Sequence, residues 1–229
     1  MSIVYIVSAP SGSGKSTLVA ELLKMVRNLD FSISYTTRPA RRTEQNRKEY
    51  FFVSREEFKA MIDADEFLEY ADVFGNYYGT ARRFLREAEA HGNDLLLDID
   101  VQGAEQIQRK IPEAVSIFIL PPDWQTLESR LRNRGSDSEE VIRRRLDTAR
   151  REIENYSKYD YILVNNLLDQ SAEQLKSIVL AERLVKSRAQ LSEEERRLVK
   201  TAESCQLEQA RERVQPILAS FHPQVVKAE

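Results

Sequence analysis

Short apolar runs alternate with amphipathic segments along most of the chain. Ile3–Val7, Leu95–Ile99 and Val115–Leu120 are continuous apolar runs rich in branched side chains, and this pattern predicts buried strands. Apolar residues recur at helical spacing in the segments that follow them, as at Leu18, Val19 and Leu22. Apolar strands separated by helices are typical of a parallel sheet that is covered on both faces. The pattern therefore predicts an α/β fold.

Local signals place the ends of several predicted helices. Ser54 followed by Glu57 forms a capping box, which predicts a helix from there to about Asp63, and Gly92 is a predicted C-cap. Between Ser136 and Gln215 the chain has neither glycine nor proline, which favours long helices. The other predicted helices are Ser16–Arg27, Ala81–His91, Ala104–Lys110, Asp123–Asn133, Ser138–Tyr156 and a helix from Ser171 onward, with a last strand at Tyr159–Val164.

Residues 32–80 fall outside this alternation of strands and helices. The stretch "FLEYADVFGNYYGT" is aromatic, contains Gly75 and Gly79, and predicts a strand, a turn and a strand. Short β-rich pieces also flank the basic loop that precedes it. We therefore expect an inserted β-rich unit that binds a substrate.

The last part of the chain, residues 187–229, forms a predicted helical extension. Ser192 and Glu195 make a second capping box, so a new helix is expected to begin there. Its apolar residues have roughly helical spacing, which leaves two interpretations open: packing on the same chain, or packing on a second copy in a homodimer. The acidic and basic residues are balanced, which argues against a basic recruitment arm.

Composition narrows the functional classes. The chain has 229 residues, 41% of them hydrophobic and 31% charged, with a net charge of −3. That charge gives no general case for nucleic-acid or anionic-membrane binding. Cys205 is the one cysteine, which rules out an internal disulfide framework and suits a reducing, cytoplasmic location. No apolar run reaches the roughly 18 residues that a membrane-spanning helix needs.

The stretch "SAPSGSGKST" lies between the first predicted strand and helix, which is the context of a phosphate-binding loop. The usual pattern has glycine where this chain has Ala9, so we expect that residue to keep a negative φ. Loop N–H groups and the helix N-terminus would hold phosphate oxygens, Lys15 the β- and γ-phosphates, and the Ser16 hydroxyl a Mg²⁺ ion. The loop indicates only a nucleoside triphosphate, which becomes ATP with the family resemblance given below. The residues expected to bind it are Ala9, Pro10, Ser11, Gly12, Ser13, Gly14, Lys15, Ser16 and Thr17.

Two other segments carry candidate chemistry. Asp98 and Asp100 end a buried strand in "LLLDID", where ligands of open α/β sheets gather. Asp98 is expected to orient Mg²⁺ through water, and a solvated strand end or a helix cap is the alternative for either carboxylate. In "SYTTRPARRTEQNRKEY", Arg38, Arg41 and Arg42 lie near Tyr50, a combination that suits a phosphomonoester. From composition alone, a solvated basic loop is equally compatible with that segment.

Seven ordered segments resemble the guanylate kinase family over about residues 2–183. They are "SAPSGSGKSTL", "SYTTRPARRTE", "EYFFVSREEF", "FLEYADVFGNYYGT", "LLLDIDVQGAEQI", "RLRNRGSDSEEVIRRRL" and "YDYILVNN". The resemblance implies a P-loop NTPase-type fold and transfer of the γ-phosphate of ATP to GMP, and also to dGMP, with Mg²⁺. It implies a P-loop core at 1–31, 81–125 and 150–186, a GMP-binding insert at 32–80 and a helical lid at 126–149, followed by the extension at 187–229.

The resemblance also implies roles for individual residues. Glu69 and Thr80 correspond to residues at the guanine edge. Guanine presents two adjacent donors, N1–H and the 2-amino group, which one carboxylate accepts, whereas adenine would leave a buried Glu69 unpaired. Asn165 falls in the segment that contacts adenine, and Lys15 with three lid arginines would carry the catalysis. The implied GMP-binding residues are Ser34, Arg38, Arg41, Tyr50, Glu69, Tyr78, Thr80 and Asp100, and the lid arginines are Arg130, Arg134 and Arg145.

Some positions depart from the usual family pattern, and two other functions stay open. Ala9 replaces a common glycine, Ala81 a common serine and Asn166 a common aspartate. One alternative is a guanylate-kinase-like protein-binding domain without catalysis, although such domains typically damage the phosphate loop and Lys15 and Ser16 are intact. The other is a kinase for a different nucleoside monophosphate.

Overall fold

The computed structural model describes residues 2–42, 44–133, 138–187 and 190–222. It contains two sheets, with strand orders β2-β7-β1-β8-β9 and β4-β3-β6-β5. The strands are β1 Val4–Ser8, β2 Leu29–Ser32, β3 Tyr35–Thr36, β4 Phe51–Phe52, β5 Phe67–Val73, β6 Asn76–Ala81, β7 Asp94–Asp98, β8 Val115–Leu120 and β9 Tyr161–Val164. The helices are α1 Lys15–Met25, α2 Arg55–Asp63, α3 Arg82–His91, α4 Val101–Lys110, α5 Trp124–Asn133, α6 Glu139–Ile153, α7 Leu168–Ser187, α8 Glu193–Glu203 and α9 Leu207–Phe221, with a 3₁₀ helix at Glu154–Lys158.

The five-stranded sheet confirms the α/β prediction. Its pairings β2–β7, β1–β7 and β8–β9 are parallel. Every residue of β8 is buried, as expected for a strand that is covered on both faces. By contacts the chain forms two compact units: one contains the residues up to Val7 with Val26–Ser116, and the other contains Ser8–Met25 with the residues from Ile117 onward.

In the first unit, β2 and β7 lie side by side in the parallel sheet. The same unit also contains the mixed four-stranded sheet. Its longest pair is the β5–β6 hairpin, antiparallel and turned at Phe74 and Gly75, both with positive φ. Phe58 of α2 packs face to face on Phe67 and Tyr77, with ring centroids 4.4 and 5.3 Å away. The sequence analysis did not predict β2 as a strand of the main sheet. Only four residues long and alternating in polarity, it is stabilised by its pairing with β7.

The predicted N-cap of α2 and the predicted C-cap of α3 are both confirmed in this unit. Ser54 accepts a hydrogen bond from the Glu57 N–H while the Glu57 carboxylate accepts one from the Ser54 N–H. Gly92 ends α3 in the left-handed conformation, with φ of 68°. In the second unit, Ser192 and Glu195 form the other predicted capping box. From the sequence, Gly135 is also expected to end the helix Asp123–Asn133, and this residue lies outside the described residues.

The C-terminal extension packs on its own chain. Helix α8 lies along α7, and α9 contacts α5 and β9. The Ile162 N–H donates to the Cys205 carbonyl at 2.7 Å and the Leu207 N–H to Asp160 at 2.9 Å, so the segment before α9 runs alongside β9. Phe221 is fully buried, edge-on to Trp124 with centroids 5.3 Å apart. Of the two interpretations left open by the sequence, packing on the same chain is therefore confirmed.

Candidate active site

In the second unit, the segment between β1 and α1 forms a tight loop around two glycines. Gly12 and Gly14 have φ of 95° and 87°, a region that side chains with a Cβ rarely adopt. The Ser13 N–H donates to the Pro10 carbonyl at 3.1 Å and the Leu18 N–H to Gly14 at 3.1 Å, which begins α1. The loop therefore presents backbone N–H groups at a helix N-terminus, the arrangement that binds anions.

Ala9 has the backbone conformation expected of it. It is not among the described non-glycine residues with positive φ, which are Asn28, Arg47, Asp65 and Phe74. Its side chain is 9% exposed, so the methyl group packs against the protein rather than projecting from the loop. The prediction that alanine fits at this position without left-handed geometry is confirmed.

Asn165 and Arg130 support the phosphate loop from outside. The Asn165 side-chain amide donates to the Ser13 carbonyl at 2.8 Å, and a Cβ at Gly14 would collide with that amide. The Arg130 guanidinium donates to the Asn165 carbonyl at 3.1 Å and more weakly to the Ser13 carbonyl at 3.4 Å. Asn165 is 5% exposed, so its amide is fixed against the loop. This supporting role was missed because the two partners are 152 residues apart in sequence.

A pocket of about 450 Å³ opens beside this loop within the same unit. Its polar groups come from the loop, from α5 and from the segment after β9, and Leu168 supplies an apolar wall. Lys15 is the first residue of α1 and is half-buried, as is Arg145 on α6, while Ser16 and Thr17 are exposed. Arg134 lies outside the described residues. The lining residues are Gly12, Gly14, Thr17, Arg130, Asn133, Asn165, Asn166 and Leu168.

In the first unit, two tyrosines and an arginine converge beside the four-stranded sheet. Tyr50 and Tyr78 have ring centroids 5.8 Å apart, and the Arg38 guanidinium carbon lies 5.4 Å from the Tyr50 centroid. Burial, together with the charge of Asp98, raises the pKa of Tyr50 to about 12, so its hydroxyl stays protonated and able to donate. Ser34, four residues before Arg38, is buried, and its carbonyl accepts a hydrogen bond from the Phe51 N–H at 2.9 Å.

Glu44 holds Arg38 and Arg41 of the basic loop. Its carboxylate accepts two hydrogen bonds from the Arg38 guanidinium, at 3.0 and 2.8 Å, and one from the Arg41 N–H at 2.8 Å. The Arg38 and Glu44 side chains are only 16% and 13% exposed, so the ion pair is shielded from water. Arg41 itself is exposed. Glu44 was not singled out from the sequence, although an acid within a basic loop was a usable signal.

Glu69 is a buried carboxylate on β5, only 3% exposed. Thr80 faces it across the β5–β6 pairing, and Asp100 caps α4 by accepting the Gln102 and Gly103 N–H groups. Burial raises the pKa of Glu69 to about 7, and the charge of Asp100 acts in the same direction, while Thr80 and Lys110 oppose it. The Thr80 hydroxyl is buried without a hydrogen bond of full geometry, although it is close enough to lower that pKa.

The remaining candidate chemistry involves single residues. Asp98 ends β7 and is half-buried. Within the part of the chain that the structure covers, no group of three or more His, Cys, Asp and Glu side chains could by itself hold a metal ion. His91 contacts Asp30 at 2.9 Å and His222 lies 4.0 Å from Glu154, so both are engaged on the surface. None of the helices described is long and apolar enough to cross a bilayer.

Comparison with known proteins gives consistent matches. The family model described as guanylate kinase matches residues 1–182. The guanylate kinase of Koribacter versatilis is 59% identical over 221 residues, 95% of each chain, and that of Escherichia coli K12 is 52% identical over 187 residues, 81% of this chain and 90% of the relative. The crystal structure of guanylate kinase from Anaplasma phagocytophilum superposes with a TM-score of 0.67 at 36% identity, covering 79% of this chain and 86% of the other.

Proposed function

The chain belongs to the guanylate kinase family, and from that premise we propose that the two sites described above bind ATP and GMP for phosphoryl transfer. The protein is an ATP:GMP phosphotransferase, which moves the γ-phosphate of ATP to GMP and gives ADP and GDP. The observation that supports GMP as the acceptor is the buried Glu69 carboxylate, with Thr80 opposite it. The alternative of a non-catalytic binding domain is not favoured, since the phosphate loop is intact.

We assign guanine recognition to Glu69, Thr80, Ser34 and Asp100. The ionised Glu69 carboxylate accepts both the N1–H and the 2-amino group of guanine. Adenine offers an acceptor at N1 and has no 2-amino group, so it would leave this buried carboxylate unpaired, which is costly. Cytosine and uracil likewise lack that pair of adjacent donors. The base is therefore selected by one carboxylate and the oxygens around it.

We assign the GMP phosphate to Arg38, Arg41, Tyr50 and Tyr78. Guanidinium groups bind phosphate oxygens bidentately, and a phenol that stays protonated donates a further hydrogen bond. The convergence of Arg38 with both tyrosines supports this assignment, as does the raised pKa of Tyr50. The Glu44 ion pair would hold the Arg38 guanidinium in place for the incoming phosphate.

We assign the donor nucleotide to the pocket beside the phosphate loop. Loop N–H groups and Lys15 would bind the phosphates. Arg130 and Arg145 would neutralise charge that spreads over the γ-phosphate oxygens. Asn165 would hold the loop and also contact the adenine base. Arg134 has the same proposed role, from its position in the sequence alone. Phosphoryl transfer depends on positioning and charge neutralisation, so no covalent nucleophile is required.

We propose that two side chains with oxygen ligands each take part in binding Mg²⁺. Mg²⁺ in kinases is held by one or two protein oxygens together with substrate phosphates and water. The exposed Ser16 hydroxyl in the first turn of α1 would bind it directly, and Asp98 would hold it through water. When bound, the ion supplies positive charge to the phosphates. We further propose that the enzyme is cytoplasmic and acts on these small molecules without nucleic acid or membrane; gel filtration would show whether it forms a homodimer.

A coupled ADP-release assay tests the function. ATP and Mg²⁺ are supplied with GMP, dGMP, AMP, UMP or CMP in turn, and turnover is expected with GMP and dGMP alone. The Lys15→Met variant is the matched control, because it should bind GMP and yet release no ADP. Turnover with AMP or UMP at a rate similar to GMP would contradict the guanine assignment. No turnover with any acceptor would indicate the non-catalytic binding domain instead.

A further inference from the structure

Helix α4 hydrogen-bonds the outer side of strand β5 through its side chains. β5 is the last strand of the four-stranded sheet, so the backbone groups on its outer side have no strand partner. At Tyr70 the Gln106 side-chain amide takes the part of a neighbouring strand. Its NH₂ donates to the Tyr70 carbonyl at 2.7 Å, and its oxygen accepts a hydrogen bond from the Tyr70 N–H at 3.3 Å. Gln102, one turn earlier, donates to the Asp72 carbonyl at 3.4 Å.

The same helix also hydrogen-bonds the strand backbone at Leu68, on the other side of Glu69 in sequence from Tyr70. Pairing in the β5–β6 hairpin shifts between Phe67 and Glu69, so Leu68 is an extra residue opposite β6. The ammonium group of Lys110 donates to the Leu68 carbonyl. Gln102, Gln106 and Lys110 follow each other at four-residue spacing and so share one face of α4.

Gly103 lies on that face at the point where the Glu69 carboxylate meets the helix. A methyl group at position 103 would overlap the carboxylate, because its carbon would lie 2.9 Å from Glu69 Cδ. Gly103 has an ordinary helical conformation, so no backbone strain requires glycine there. Contact with Glu69 is therefore the physical reason why position 103 needs glycine.

We propose that Gly103, Gln106 and Lys110 are positioning residues for guanine recognition. Gln106 and Lys110 fix the backbone on either side of Glu69, at Tyr70 and Leu68, and Gly103 gives its carboxylate room against α4. Together they set where the two oxygens of Glu69 meet N1–H and the 2-amino group. This inference rests on the proposed function, and it makes base selectivity depend on three residues of α4 that do not themselves contact the base.

A merely stabilising contact would have a different kinetic signature from a positioning one. Inosine monophosphate (IMP) keeps the guanine N1–H and the phosphate but lacks the 2-amino group. Displacing Glu69 should therefore reduce the advantage of GMP over IMP, whereas general loosening of the fold should slow both substrates together. The KM for ATP is a second internal reference, because ATP does not contact Glu69.

The test measures kcat/KM for GMP and IMP, and the KM for ATP, in Gly103→Ala and Gln106→Leu. Each variant should lose at least about tenfold of the GMP over IMP ratio, as expected for a misplaced hydrogen bond to a charged group, with the KM for ATP changed less than twofold. Alanine has a higher helix propensity than glycine, so the Gly103→Ala change by itself should stabilise α4. A lower GMP over IMP ratio in this variant would therefore not result from a weakened helix. Arg109→Gln is the control, because Arg109 is exposed on the same helix and bonds only Glu105 in the pairs described.

Each outcome has a defined meaning. A lower GMP over IMP ratio with an unchanged KM for ATP supports positioning, and if Gly103→Ala fails to fold, Gln106→Leu carries the comparison. Equal losses for both substrates, or no change, would overturn the inference while leaving the proposed function intact. An unmodified enzyme that does not turn over GMP would overturn the proposed function, and this inference with it.

Discussion

Replacing Glu69 with glutamine should weaken GMP phosphorylation and stabilise the fold at neutral and alkaline pH. Glu69 is 3% exposed, and burial raises its pKa to about 7 from an ordinary value near 4.5. Above pH 7 the folded protein therefore holds a buried carboxylate whose interactions do not offset its loss of hydration. Glutamine removes this charge and keeps nearly the same shape.

The magnitude follows from the two pKa values. Below about pH 4.5 the carboxyl is protonated in both the folded and the unfolded chain, so it contributes no pH dependence. Between pH 4.5 and 7 the unfolded chain ionises first, and stability falls as pH rises; above pH 7 the loss is constant. At 1.36 kcal/mol per pKa unit, a pKa of about 7 in place of 4.5 corresponds to about 3 kcal/mol.

The assay is urea unfolding without nucleotide at pH 5 and pH 8. Glu69→Gln should exceed the unmodified protein by about 3 kcal/mol in free energy of unfolding at pH 8, and by less than about 1 kcal/mol at pH 5. Glu66→Gln is the matched control, since Glu66 is exposed just before the same strand. The same Glu69→Gln protein should lose at least about tenfold in kcat/KM for GMP.

Two results would refute this reasoning. A Glu69→Gln protein that is less stable than the unmodified one at pH 8 would mean that the carboxylate is stabilised in the fold, against the raised pKa. A stability difference that does not shrink towards pH 5 would mean that the effect is one of packing rather than ionisation. Unchanged GMP kinetics would remove Glu69 from guanine recognition.

Four further outcomes are expected. The KM for GMP should rise about tenfold from pH 8 to pH 6 as Glu69 gains a proton, measured against Glu69→Gln, which reports the titration of the GMP phosphate alone. Glu44→Ala should raise the KM for GMP about tenfold with no change for ATP, and steady-state kinetics with the KM for ATP equally raised would contradict this. Asn165→Ala should raise the KM for ATP several-fold by freeing the Ser13 carbonyl, and an unchanged value would remove its supporting role. Phe221→Ala should cost about 3–5 kcal/mol in denaturant unfolding, and a loss below 1 kcal/mol would show that α9 is loosely packed.

Features encoded by neighbouring residues were the ones that the sequence predicted well. The capping boxes at Ser54 and Ser192 and the C-cap at Gly92 each depend on residues within four positions, and each is present in the structure. The β5–β6 hairpin and the fully buried β8 followed from local pattern as well. Local rules succeed here because the partners of each backbone group lie within the same segment.

The supports of the site were not predictable in this way. The bond from Asn165 to Ser13 joins residues 152 apart, and the bond from Gln106 to Tyr70 joins residues 36 apart. Strand β2 carries too weak an apolar pattern to be assigned before its partner is known. The side chains proposed to bind the substrates can be recognised by their chemistry, whereas those that hold them in place are ordinary residues until the fold brings them together.

The segment from Cys205 to Leu207 runs beside a strand edge that could otherwise pair with strands of other molecules. β9 is the last strand of its sheet; its Ile162 N–H bonds the Cys205 carbonyl, and the carbonyl of Asp160, just before the strand, accepts from the Leu207 N–H. An unpaired strand of this kind, Tyr-Ile-Leu-Val in sequence, would be a template for strands of other molecules. The extension therefore acts as a built-in cover against aggregation, and a chain shortened to residue 187 should precipitate or oligomerise even where its catalytic residues remain folded.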